Sequence, residues 1–163
     1  QWSHAKSFGL NMRAILPLVV VVIGTEEEYY AALADDPTPV MHGHSVPEAR
    51  QEELERLLND LSDNADRSKT FIVKRGAAGA TVLRPDETPI NVPSFPVEIL
   101  NTVGAGDAFA SGLLYGVING WEWARAVRMA NACGALVVTR HGCGTAMPTL
   151  QEAESFIQQR GGF

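Results

Sequence analysis

Apolar residues along this chain follow two periods, one typical of buried strands and one typical of helices. Uninterrupted apolar runs at 18–23 and 71–73 predict strands that are buried on both faces. Leucines at positions 54, 57, 58 and 61 recur at the spacing of one helix face. Because strand and helix segments alternate, we expect an α/β fold with three α/β/α layers, in which helices cover both faces of a mostly parallel sheet.

The same pattern assigns approximate bounds to the elements. Strands are predicted at 18–23, 70–74, 80–83, 90–92 and 97–100. Helices are predicted at 25–33, from 47 or 48 onward, and at about 105–119, 122–139 and 149–160. Thr25 is expected to cap the first helix, whose opening glutamates suit the positive end of the helix dipole. The residues at 35–47 are typical of a loop.

Composition and charge narrow the functional classes. The 163 residues, 45% of them apolar, predict a single globular domain over 1–163. A net charge of −6 disfavours nucleic acid and anionic membranes as partners. The apolar run at 14–24 imitates a secretory signal, but Thr25 and three glutamates follow it without a cleavage site. Two cysteines, Cys133 and Cys143, fit reduced thiols in a cytoplasmic protein better than a disulfide framework.

The most informative segment is Asn-Thr-Val-Gly-Ala-Gly-Asp-Ala-Phe-Ala-Ser-Gly at 101–112. Gly104, Ala105 and Gly106 form a turn before an apolar helix, which leaves main-chain N–H groups free to bind an anion. Asp107 is poorly placed to hold phosphate but well placed to accept a proton from an attacking hydroxyl. We therefore predict a phosphotransferase in which Asp107 is the general base and these amides form an anion hole. A glycine-rich turn with a capping aspartate is the alternative.

The stretch Thr-x-Gly-Ala-Gly-Asp with its apolar helix resembles the C-terminal signature of the ribokinase-like (PfkB) carbohydrate kinases, which carry Asp at the position of Asn101. The resemblance runs from about 19 to 150 and implies a ribokinase-like fold, a sugar substrate, ATP and Mg²⁺. Since members of the family are considerably longer, this chain is expected to be their C-terminal, ATP-binding half, truncated at the N-terminus and weakly active or inactive alone. An exposed sheet edge would then favour a homodimer.

Resemblance also implies nucleotide-binding residues. A strand that ends in a basic pair and a two-glycine turn lines the ATP site of the family, which indicates Lys74, Gly76 and Gly79, with Arg75 less securely placed. Asn131 matches a family position beside adenine, and Gly134 belongs to the same run of small residues. Without the resemblance, these segments read as a β-hairpin and as a helix whose small residues allow tight packing.

Metal positions follow in the same way. Glu27 matches a family glutamate that organises water around Mg²⁺, although Gly24 replaces the Asn of that motif and Glu27 could equally face solvent. Many relatives bind a monovalent cation such as K⁺ through main-chain carbonyls beside the anion hole. The matching positions are Asn101, Val103, Val137, Arg140 and Gly142. Because Asn101 replaces a carboxylate, the site loses a formal charge and cation dependence is in question.

Segments at 24–28, 95–101, 130–134 and 140–143 look like those of the 5-dehydro-2-deoxygluconokinases of inositol catabolism. That subgroup implies transfer of phosphate from ATP to a sugar acid, 5-dehydro-2-deoxygluconate, giving its 6-phosphate. A 2-dehydro-3-deoxygluconate kinase, a fructokinase and a non-catalytic nucleotide-binding module remain alternatives. An NAD-dependent oxidoreductase is disfavoured, since no Gly-x-Gly-x-x-Gly follows the first strand.

Overall fold

The structure, a computed structural model, describes residues 11–40 and 45–163. Its strands are β1 Val21–Thr25, β2 Thr70–Lys74, β3 Ala80–Leu83 and β4 Ile90–Val92. Its helices are α1 Glu26–Leu33, α2 Gln51–Asp63, α3 Ala105–Ile118, α4 Trp123–Val138 and α5 Leu150–Gln158. The chain divides into two compact units, one made of 1–75 and 81–90 and the other of 76–80 and 91–163. Residues 41–44 of the predicted loop lie outside the described part.

The strands form one sheet in the order β1-β2-β3-β4. β1 and β2 are parallel, with Val21 opposite Thr70 and Thr25 opposite Lys74. The segments that join β2 to β3 and β3 to β4 are too short for a parallel crossover, so those pairs are antiparallel and the sheet is mixed.

Two predicted strands need correction. β1 begins at Val21, later than predicted, because Pro17 lies in a 3₁₀ turn at Leu16–Leu18 and cannot donate to a sheet ladder. The predicted strand at 97–100 is wrong, since this segment pairs with no strand in the described part of the chain. Instead the amides of Leu100 and Asn101 donate to the carbonyl of Val138 at the end of α4, at 2.8 and 3.2 Å.

In the first unit, α1 begins as the sequence predicts. Thr25 accepts from the Glu28 amide at 3.3 Å, and the Glu28 carboxylate accepts from the Thr25 amide at 2.7 Å. This reciprocal capping box satisfies two donors that the helix start would otherwise leave free. Behind it, Tyr29, Tyr30 and Leu54 pack into the buried core of this unit.

In the second unit, α3 and α4 pack through small residues. A Cβ on Gly112 would lie 2.9 Å from the sulfur of Cys133, and a Cβ on Gly116 would lie 2.6 Å from the Cβ of Ala126. Both distances are shorter than real side chains tolerate, so the glycines are what allow the two helices to lie this close. Among the described residues no helix is both long and apolar enough to cross a bilayer.

Candidate functional site

The turn before α3 has the form that the sequence predicts. Gly104 is the N-cap residue and has φ +86°, a left-handed conformation that favours glycine. The Ala105 amide donates to the carbonyl of Thr102 at 3.3 Å, a long hydrogen bond. Among the described residues, nothing accepts a hydrogen bond from the amides of Gly106 and Asp107. Two main-chain donors at the positive end of α3 are therefore available to an anion.

The carboxylate of Asp107 also has no hydrogen-bond partner among the described residues. In this it differs from the acidic residues at the third position of three other helices. The third residue of α1, Glu28, caps its own helix, and the third residue of α2, Glu53, accepts from the Tyr30 hydroxyl at 2.9 Å. The third residue of α5, Glu152, accepts from the amide of its N-cap residue at 2.8 Å. Asp107 has no side-chain partner in the described part of the chain and is exposed. It therefore contributes nothing visible to capping, and its oxygens can accept a proton from a bound hydroxyl.

Two sulfur-containing side chains, those of Cys143 and Met147, form a wall behind the turn that the sequence did not predict. A Cβ placed on Gly104 would lie 3.0 Å from the sulfur of Cys143 and 3.4 Å from the terminal carbon of Met147. Cys143 is half-buried and not disulfide-bonded. The sequence gives no direct signal for this contact, because nearly forty residues and the whole of α4 separate the two positions.

Asn101 fastens the turn to the segment that carries Cys143. Its side-chain oxygen accepts from the Val103 amide at 3.1 Å, and its side-chain nitrogen donates to the Gly142 carbonyl at 3.0 Å. The Val137 carbonyl, at another predicted cation position, accepts a hydrogen bond from the Arg140 amide at 3.1 Å. The structure thus brings these predicted residues together. Asn101, however, presents an N–H donor to the Gly142 carbonyl, where a cation ligand would present an oxygen to the ion.

The predicted adenine residue has a structural task. Asn131 is buried, and its side-chain nitrogen donates to the carbonyls of Val92 and Pro93 at 3.0 and 3.2 Å. Gly79 also faces this segment, where an added Cβ would collide with the Val92 carbonyl. A Cβ on Gly134 would sit 3.6 Å from the Ala105 carbonyl, an ordinary contact. Tight packing therefore explains Asn131 and Gly79 without any nucleotide.

Gly76 differs from Gly79, since nothing lies within 4 Å of a Cβ placed on it. It has φ +56° in the connection between β2 and β3. This open turn, unlike Gly79, leaves room above the main chain for another molecule.

In the first unit, the two basic residues at the end of β2 behave differently. Arg75 binds the carboxylates of Glu26 at 2.6 Å and Glu55 at 2.8 Å, so its charge is already compensated. Burial is the main reason that the pKa of Glu26 lies above its usual value, and the charge of Arg75 opposes that rise. Lys74 has no ion pair among the described residues, which leaves it as the better candidate for a phosphate contact.

Glu27 is half-buried in the first turn of α1 and has no hydrogen-bond partner within the described ranges. A carboxylate of this kind suits Mg²⁺ held through water, because Mg²⁺ prefers oxygen ligands and keeps several of its waters. The Gly24 that precedes it makes room for an aromatic ring, since an added Cβ would lie 3.1 Å from the ring of Tyr29. This packing accounts for glycine at a position where the family motif has Asn.

Known proteins resemble this chain over most of its length. A 5-dehydro-2-deoxygluconokinase of Clostridium tetani (strain Massachusetts / E88) is 36% identical over 93 residues, which cover 57% of this chain and 27% of that protein. The enzyme of the same name from Shouchella clausii (strain KSM-K16) is 27% identical over 159 residues, covering 98% of this chain and 44% of that protein. The chain therefore spans less than half the length of these curated relatives.

Solved structures agree with the sequence relatives. A Vibrio cholerae O395 fructokinase with bound fructose, ADP and calcium superposes with a TM-score of 0.72 at 28% identity, over 95% of this chain and 46% of that one. A protein assigned provisionally as ribokinase II of E. coli, in complex with ATP and Mg²⁺, gives 0.73 at 30% identity, over 96% and 46%. These similarities confirm the predicted ribokinase-like α/β fold. Since the pfkB family carbohydrate kinase pattern also matches residues 2–150, this chain belongs to the pfkB family of carbohydrate kinases.

Proposed function

We propose that this chain carries the phosphoryl-transfer site of an ATP-dependent carbohydrate kinase. The observation that carries the proposal is the start of α3, where the amides of Gly106 and Asp107 and the carboxylate of Asp107 all lack partners in the described structure. Free donors stabilise negative charge on a phosphoryl group, and a free carboxylate can take up a proton.

In the proposed reaction, Asp107 accepts the proton of a sugar hydroxyl as the hydroxyl oxygen bonds to the γ-phosphorus of ATP. The bond between that phosphorus and its bridging oxygen breaks, so ADP leaves and the sugar phosphate remains. The amides of Gly106 and Asp107 hold the charge on the transferred group, and the Ala105 amide joins them when its long hydrogen bond to the Thr102 carbonyl breaks. Glu27 is the residue proposed to hold Mg²⁺ through water, and the ion would supply positive charge to the phosphates when bound.

Contacts to the nucleotide are assigned by how far each residue is already engaged. Lys74 and Gly76 are proposed as polyphosphate contacts, because the ammonium of Lys74 has no ion pair among the described residues and Gly76 is open above its main chain. Asn131, Gly79 and Gly134 are proposed to shape the adenine pocket, with only the side-chain oxygen of Asn131 left to face a base.

The proposed sugar is 5-dehydro-2-deoxygluconate, converted to its 6-phosphate in inositol catabolism. The support is the name that the curated relatives share, at 36% and 27% identity. The similarity to a fructokinase structure favours fructose as the second candidate. A panel of the sugar acid, 2-dehydro-3-deoxygluconate and fructose, assayed with [γ-³²P]ATP so that slow turnover is detected, separates these substrates.

Replacing the carboxylate while keeping its shape tests the reaction itself. We expect Asp107→Asn to lower phosphorylation by about 10²–10⁴-fold, the usual size of a general-base effect. ATP·Mg²⁺ affinity, measured by isothermal titration, should stay within a few-fold of the unmodified chain. Glu154→Gln is the matched control, because Glu154 is an exposed helical carboxylate on α5.

Two results would overturn the proposal. The first is normal turnover by Asp107→Asn, which would remove the role of the carboxylate. The second is a failure to bind ATP·Mg²⁺ in the titration, because a chain expected to be weakly active or inactive alone should still hold the nucleotide.

Self-association is proposed separately from catalysis. Leu18 and Ile118 are each 81% exposed, and association with a second copy would be one way to cover these apolar side chains. Sedimentation velocity at several protein concentrations would detect a dimer.

A further inference from the structure

We propose that the side-chain amide of Asn101 takes the place of the monovalent cation in this chain. The turn before α3 is then closed by a hydrogen bond, and K⁺ is not needed to hold it. This inference concerns how the turn is built and would stand whether or not the chain transfers phosphate.

The orientation of the Asn101 amide group is fixed by its two neighbours. A main-chain N–H can only donate, so the Val103 amide at 3.1 Å requires the side-chain oxygen of Asn101 on that side. A carbonyl can only accept, so the Gly142 carbonyl at 3.0 Å requires the NH₂ group. Exchanging the two ends would place donor against donor and acceptor against acceptor, which leaves one arrangement.

This arrangement fits a cation poorly. The Gly142 carbonyl already accepts a hydrogen bond from Asn101, whose N–H places a partial positive charge beside the oxygen that a K⁺ would use. Asn101 supplies no negative charge to offset the cost of removing water from the ion.

The amide therefore performs the mechanical task that a cation would perform. Its two hydrogen bonds connect residues 101–103 to Gly142. The first segment leads into the anion-binding turn, and the second precedes Cys143, whose sulfur lies behind Gly104. Both sides of the turn are fixed by groups that the chain itself supplies.

Thermal unfolding in matched salts tests this without any substrate. The melting temperature of the unmodified chain should be the same in KCl and in choline chloride at equal ionic strength. Asn101→Asp removes the N–H and restores a carboxylate, so this variant should melt lower in choline chloride and recover several degrees in KCl, with a saturable dependence on K⁺.

Asn119→Asp is the matched control. The Asn119 amide also donates to a main-chain carbonyl, that of Tyr115 at 2.8 Å, but at the opposite end of α3. That end lies about 20 Å away along the helix axis, at 1.5 Å per residue. This variant gains the same charge and should show no difference between the two salts.

Two outcomes would overturn the inference. A saturable stabilisation of the unmodified chain by K⁺ would show that a cation binds despite the amide. An Asn101→Asp variant that melts alike in both salts would show that the amide does not occupy a cation position. Neither result depends on ATP or sugar, so failure here is distinct from failure of the kinase proposal.

Discussion

Gly104→Ala should destabilise the chain through two separable effects. The first is conformational, because φ of +86° places an alanine in the left-handed region. The second is steric, because the new methyl group would lie 3.0 Å from the sulfur of Cys143. Gly120 provides the control, since it has φ +67° and nothing within 4 Å of an added Cβ.

The two effects have different sizes. Left-handed backbone costs an L-residue about 1–2 kcal/mol, and this is partly offset by a less flexible unfolded chain. We therefore expect Gly120→Ala to lower the free energy of unfolding by about 1 kcal/mol. Gly104→Ala adds the overcrowding of a packed site, and we expect a total of about 2–3 kcal/mol.

A double-mutant cycle in urea isolates the contact with sulfur. Cys143→Ala in the Gly104→Ala background should recover about 1 kcal/mol of the loss, which is the coupling energy expected of residues in contact. Cys143→Ala in the Gly120→Ala background should recover nothing. Equal losses for the two glycine variants, or a coupling energy of zero, would refute the view that Cys143 presses against the turn.

Three further predictions concern other parts of the fold. Burial raises the pKa of Cys133 to about 11, so at pH 8 a thiol reagent should modify Cys143 in the folded chain and both cysteines after unfolding. The hydrogen bond from a main-chain amide holds the pKa of Glu152 below its usual value, so Glu152→Gln should lose stability at pH 7. That difference should disappear in urea titrations as the pH falls through the folded pKa of Glu152. Gly116→Ala should lower the melting temperature despite a gain of about 1 kcal/mol in helix propensity, because its Cβ would lie 2.6 Å from that of Ala126.

Local signals in the sequence predicted the elements well where one residue decides the structure. Thr25 with a glutamate three residues later predicts a capped helix start, and the structure has the reciprocal bonds. Gly104 predicts the turn before α3, and its positive φ confirms that turn. The strand expected at 97–100 failed because its apolar residues satisfy the strand pattern, whereas its amides bond to the end of α4.

The sequence could not predict the contacts of polar side chains whose partners lie far away along the chain. Asn131 looks like a base-contacting side chain in sequence, but its donors go to Val92 and Pro93, which are almost forty residues away. Arg75 looks like a phosphate ligand until Glu26 and Glu55 are seen to neutralise it. In each case a polar residue suits both a ligand and a packing partner, and the sequence alone does not show which protein groups it contacts.

The glycine seam between α3 and α4 has a consequence for how a nucleotide would meet this protein. Because a Cβ on Gly112 or Gly116 would lie 3.0 Å or less from atoms of α4, larger side chains are excluded at both contacts and the two helices are closely packed in this register. The free amides at the start of α3 therefore belong to a rigid body. The conformational entropy of this stretch of main chain is lost when the chain folds. The proposed phosphate would therefore meet donors that need no further ordering on binding.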